Sequence, residues 1–228
     1  MSISTRATLE RELGEMQDDL FRLGDRVDGA IAEAMRSLQE RDAHRARLVI
    51  NRDAEINDLR FLTEEKCLRL IATQQPAATD LRTIVAAMNI VIDLERMADH
   101  AAGVAKIVLR MGDEPLLKPL IDLPRMADMA RDMLHRALKA FAQRDIELAR
   151  QVAAEDDQID ELYQQVFREL LTFMLEDPRT TTRALYLIFA GHNLERIADR
   201  TTNIAERVIF LASGEMRELN PEPPSDLA

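Results

Sequence analysis

The sequence predicts an all-α protein of two tandem, repeat-related three-helix bundles, with six helices running up-down-up in each half. Three observations carry this reading. Ala, Leu, Arg, Glu and Met, all good helix formers, are abundant, against seven Gly, no Trp, two Tyr and seven Phe. Apolar residues recur at helical spacing along most of the chain. The stretch Leu94-Glu95-Arg96-Met97-Ala98-Asp99-His100 returns 100 positions later as Leu194-Glu195-Arg196-Ile197-Ala198-Asp199-Arg200, identical at five of seven positions.

The first helix is marked by Leu9, Leu13, Met16, Leu20, Leu23, Val27, Ile31, Met35 and Leu38, one amphipathic stripe. Asp42 is an N-cap candidate for a second helix carrying Leu48, Val49, Ile56, Leu59, Leu62, Leu68 and Ile71. Pro76 forces a turn, Thr79 or a neighbour is expected to cap the third helix, and Gly112 ends it after Met111. The run 112–119 holds a Gly and two Pro, so the expected division is a bundle over 1–112, a linker over 113–119 and a second bundle over 120–214. A fourth helix spans about 123–143, and a continuous fifth runs from Asp145 to about Leu175. Asp177-Pro178 ends it, and a sixth spans about 181–213. The Pro-rich end, 215–228, has the composition of a flexible tail.

The repeat extends past the motif. Arg41-Asp42 matches Arg144-Asp145, and Ala46, Val49, Asp53, Ile56 and Leu59 match Ala149, Val152, Asp156, Ile159 and Leu162 at an offset of 103. Drift of the offset to 100 is what small loop differences between duplicated units produce.

A formal net charge of −11 argues against a nucleic-acid partner, whose phosphates favour a basic surface. Cys67 stands alone, so there is no disulfide framework, and a buried structural thiol in a reducing compartment is expected. No apolar run approaches the ~20 residues of a membrane span, and the first residues do not resemble a signal peptide. A cytoplasmic protein is expected, held at the inner face of the membrane only through partners.

Glu95-x-x-x-Asp99 and Glu195-x-x-x-Asp199 each stack two carboxylates on one helix face. On a wheel advancing about 100° per residue, Glu95 and Asp99 fall in the sector of Leu81, Ile84, Met88, Ile92 and Ala102. Arg82, Asn89, Asp93, Arg96 and His100 gather where a solvent face should be. Carboxylates on an apolar stripe must be protonated, paired or bound to a cation. The repeat adds Asp53-x-x-x-Asn57 and Asp156-x-x-x-Asp160. Asp53 and Asp99 are equidistant from Pro76, as are Asn57 and Glu95, so an antiparallel hairpin sets them side by side. Asp156, Asp160, Glu195 and Asp199 are matched about Pro178 to within one residue, about 1.5 Å of helix. The candidate metal ligands are therefore Asp53, Asn57, Glu95 and Asp99 in the first half and Asp156, Asp160, Glu195 and Asp199 in the second. Oxygen donors in such number suit a hard, multivalent cation. Salt bridges to Arg60, Arg96, Lys106 or Arg196 are the competing reading. His192 stands three residues before Glu195 and could touch the second cluster. No Glu-x-x-His di-iron signature, phosphate loop or nucleophile grouping accompanies these motifs.

The doubled Leu-Glu-Arg motif, extended to Thr201-Thr202-Asn203-Ile204-Ala205-Glu206, resembles the signature of the PhoU phosphate-uptake regulators. Gln75-Pro76 with Asp80-Leu81-Arg82, and Met174-Leu175-Glu176-Asp177 with Arg179-Thr180, are similar to that family's hairpins. The resemblance covers about residues 10–212. It implies multinuclear iron or zinc clusters on the bundle surface, held by the acidic positions named above. Asn57 stands where the family has an acid, and Ala98 and Ala198 replace a frequent glycine. The resemblance further implies a non-enzymatic negative regulator of phosphate uptake and of the phosphate-starvation response, an adaptor between the ATPase subunit of a phosphate ABC transporter and a membrane sensor histidine kinase. A homodimer is the expected assembly. The alternative is a carboxylate-bridged metalloenzyme, an oxidase or hydrolase.

Overall fold

The computed structural model describes residues 3–214 and 219, with side chains from residue 6 onward. The chain is all-α. Its helices are α1 (Ile3–Glu40), α2 (Ala43–Gln74), α3 (Ala78–Met111), α4 (Asp122–Gln143), α5 (Ile146–Ala154), α6 (Asp156–Glu176) and α7 (Thr181–Ser213). A 3-10 turn, Pro178–Thr180, precedes α7.

In each half the same corner follows the first helix, α1 or α4. Arg41 and Arg144 adopt left-handed conformations, φ 55° and 53°. The next N–H groups, of Asp42 and Asp145, then reach back to the carbonyls of Ser37 and Ala140, each at 2.9 Å, which satisfies orphan carbonyls in Schellman fashion. Asp42 turns forward and caps α2, accepting from the His44 and Arg45 N–H groups. Asp145 caps α5 through the Leu148 N–H. The expected side-chain cap at Thr79 or a neighbour does not form: α3 starts after Ala77 without one, and Thr79 lies one residue inside the helix, where its carbonyl accepts from Thr83 Oγ1.

The expected fifth helix is broken at Glu155, between α5 and α6. Arg136 of α4 grips the Glu155 carboxylate with two nitrogens. Its repeat partner in the uninterrupted α2 is Arg52, so the break belongs to the second half alone.

The first-helix stripe is the core, Leu9 through Leu38, together with Ile84, Leu94, Met97, Met126, Phe141, Leu187 and Leu194. Cys67 is buried, and Met16, Met35, Met97, Met126 and Met133 fill the interior. The second helix departs from expectation, since Leu48, Leu62 and Leu68 lie at the surface. Only Val49, Ile56 and, in part, Leu59 and Ile71 of its apolar set turn inward. Leu116, Leu117 and Leu120, between α3 and α4, pack partly against the core.

The halves meet along α3 and α7 and along α1 and α4. Asp28 of α1 receives a two-nitrogen grip from Arg131 of α4. On α3, Asp93 and His100 of the predicted solvent face lie instead in the inter-half seam, while Arg96 is exposed as expected. Asp93 is buried and accepts from Asn203 Nδ2 at 3.2 Å. His100 Nδ1 lies 3.2 Å from Asn193 Oδ1. Gly103 leaves room for this pair, since a Cβ there would come within 2.5 Å of Asn193 Oδ1 and push that side chain aside. A wheel drawn for one helix cannot show that its polar side faces polar partners of another. Among the described residues, no helix is long and apolar enough to cross a membrane. The predicted tail lies outside the described residues except for Leu219, whose N–H reaches Glu206 Oε1 at 2.9 Å.

Candidate metal centre

The hairpin about Pro178 brings α6 and α7 side by side, and with them three of the four candidates of the second half. Ligand oxygens of Asp156, Asp160 and Asp199 all lie within 4.8 Å of one another. Asp156 is buried in the first turn of α6, where the helix dipole favours a negative group. Asp160 Oδ1 is buried without a hydrogen-bond partner, an orphaned acceptor that costs free energy unless a cation or water reaches it. Its pKa is raised, first by burial and then by the Asp199 charge.

Glu195 does not join that trio. Its Oε2 is buried and outside hydrogen-bond geometry, 3.3 Å from His192 Nδ1 and 3.8 Å from Arg196 Nε. Burial, then Asp199, pushes the Glu195 carboxyl up to about 7. The expected contact of His192 with this cluster is thus present, at its Glu195 edge. Arg196 pairs with Asp199 at 2.7 Å from a partly exposed position. Three carboxylate oxygens converging with an orphaned acceptor, and no sulfur among them, fit a hard multivalent cation.

The first-half cluster, on α2 and α3, is different. Asp53, Glu95 and Asp99 are close enough that Asp99 raises the pKa of both others, after burial. Asp53 Oδ1 is buried without a hydrogen-bond partner. Asn57, counted as a ligand, instead donates from Nδ2 to the backbone carbonyl of Asp53 at 3.3 Å. Arg60 reaches across from α2, its Nη1 3.6 Å from Glu95 Oε1 and its Nη2 3.3 Å from Glu64 Oε1. The salt-bridge reading therefore finds a contact in each half, Arg60–Glu95 here and Arg196–Asp199 in the second. Glu64, too far along α2 to join the acids directly, is tied to them through Arg60.

Tyr163 escaped the sequence reading. Its ring lies 6.1 Å from that of His192, and burial and Glu195 raise its pKa. The signal was available, because the 103-residue offset sets Tyr163 opposite Arg60.

Two tandem helical units, each ending in an acid-lined hairpin, define the class of protein. The PhoU domain model matches residues 20–108 and again 123–208. The chain is 39% identical to a phosphate-specific transport system accessory protein PhoU homolog of Aquifex aeolicus over 91% of its own length and 94% of the relative's. It is 36% identical to the Clostridium acetobutylicum homolog over 95% and 99%. The crystal structure of PhoU from Pseudomonas aeruginosa superposes with a TM-score of 0.86 at 36% identity, covering 90% of this chain and 99% of that one. That of the phosphate transport system regulatory protein PhoU from Streptococcus pneumoniae gives 0.85 at 32%, covering 92% and 99%. The chain belongs to the PhoU family.

Proposed function

We propose that this protein is an accessory regulator of phosphate transport. It acts as a negative regulator of uptake and of the phosphate-starvation response, an adaptor between the ATPase subunit of a phosphate ABC transporter and a membrane sensor kinase. The observation that carries the reading is likeness along nearly the whole chain to proteins named as accessory to phosphate-specific transport. The helices supply long, rigid faces suited to docking, and the acidic hairpin of the second half supplies the cation site. When bound there, an iron or zinc ion would neutralise the carboxylates and tie α6 to α7. Asp156, Asp160 and Asp199 would hold it, with Glu195 at the edge, and His192 and Arg196 would orient Glu195. The name of an accessory protein favours the adaptor over a carboxylate-bridged oxidase or hydrolase.

Deletion of the gene should leave phosphate-starvation promoters active in high phosphate. Tagged protein should retain the transporter ATPase and the kinase from membranes of phosphate-replete cells. Normal repression in the deletion strain, with no second copy of the gene, would refute the reading.

A further inference from the structure

We propose that Arg60 is a built-in cation of the first cluster, so that multivalent metal is confined to the second half of this protein. The inference rests on the metal reading above and goes beyond it by making the two repeat-related clusters chemically unlike.

Arg60 is 23% exposed and held in three ways: toward Glu95 at 3.6 Å, toward Glu64 at 3.3 Å, and over the Phe61 ring with its Cζ 4.8 Å from the centroid. A guanidinium kept in that position supplies the positive charge that clustered carboxylates otherwise take from a metal.

The repeat makes the contrast internal to one chain. Arg60 stands opposite Tyr163 at the 103-residue offset, and Lys106 stands opposite Glu206 at the 100-residue offset. Asn57 stands opposite Asp160, and its amide is folded onto its own helix. Arg96 and Arg196 occupy matching positions in the two halves, and Arg196 lies 2.7 Å from Asp199. The first cluster thus has three acids facing a guanidinium, Arg60, that has no counterpart in the second, and the second has four acids, with Arg196 beside Asp199 on the same helix. Among the described residues, only the second brings three ligand oxygens within 4.8 Å of one another.

Arg60 also differs in kind from Arg196, the cation of the second cluster. Arg196 is 42% exposed and lies three residues from its partner Asp199 on the same helix, so it can swing into solvent. Arg60 bridges two helices and is pinned by a second carboxylate and a ring.

The test is calorimetric titration of metal-free protein with zinc, with bound zinc counted by elemental analysis. Wild-type protein should lose its tight zinc on Asp160→Asn. In that background, Arg60→Gln or Arg60→Tyr should create a new site, with affinity raised about tenfold or more over Asp160→Asn alone by the lost repulsion. Asp53→Asn should abolish the gain, and Arg60→Lys, which keeps the charge, should not produce it. The two neutral variants guard against a folding defect in either. Tight zinc that survives Asp160→Asn and depends on Asp53 while Arg60 is intact would overturn the proposal. So would the absence of any gain in both neutral variants when their helicity is native. Zinc missing from the second cluster of the wild type would sink the metal reading instead, while the Arg60 claim would still stand or fall on the gain.

Discussion

Asp93 of α3 accepts a hydrogen bond from Asn203 of α7 at 3.2 Å, and Arg200 Nη1 of the same helix lies 3.8 Å from the same oxygen. Asp93 is 7% exposed. Burial raises its pKa, and Asn203 and then Arg200 pull it down. This contact ties the two halves, so they should unfold together. Asn203→Ala leaves a buried acceptor short of a donor and should cost about 1–3 kcal/mol, a fall in melting temperature of roughly 2–12 °C for a chain of this size. Thermal unfolding followed by circular dichroism checks it, and an unchanged midpoint would show that the seam is held by apolar packing alone.

The hairpin corners give a second prediction. Arg41 pays a steric penalty at φ 55° that glycine avoids. Arg41→Gly should therefore stabilise the protein by about 0.5–1 kcal/mol. Asp42→Ala should cost about 0.5–2 kcal/mol, because two α2 N–H groups lose their acceptor. Urea midpoints at unchanged slope would verify the opposite signs.

These corners were legible because local chemistry builds them: an Asp before an apolar run caps a helix whatever surrounds it. The six-helix plan and its duplication were equally legible, being carried by periodicity and by a motif repeated 100 positions apart. The break at Glu155 was not, since it coincides with a grip from Arg136 on another helix. Nor were the polar seam of α3 or the exposure of Leu62 and Leu68, which depend on how helices far apart in sequence lie against each other. In the candidate site, hairpin counting placed Asp156, Asp160 and Asp199 together. It could not tell that Asn57 would fold back on its own backbone or that Glu195 would stand aside.

The Glu195 carboxyl sets a pH dependence. Its pKa is about 7 in the fold, against an ordinary 4.5, through burial and then Asp199. The folded chain holds this proton more tightly than the unfolded chain, so the group's penalty is absent at low pH and grows as pH rises from about 4.5 through about 7. The raised pKa values of Asp53, Glu95 and Asp160 act in the same sense. Metal-free protein should melt at a higher temperature at about pH 5.5 than at about pH 8. Glu195→Gln should flatten the difference. A bound multivalent cation should reverse it, because protons and metal compete for the same oxygens.

The most direct measurement for the account is complementation of the deletion strain, with a phosphate-starvation reporter read in high phosphate. The wild-type gene should restore repression. Asp156→Asn with Asp160→Asn removes two of the three converging carboxylates and should leave the reporter on, although the purified protein remains helical and monodisperse. Full repression by that variant, at wild-type abundance and without bound metal, would contradict the link between the second-half acidic hairpin and regulation.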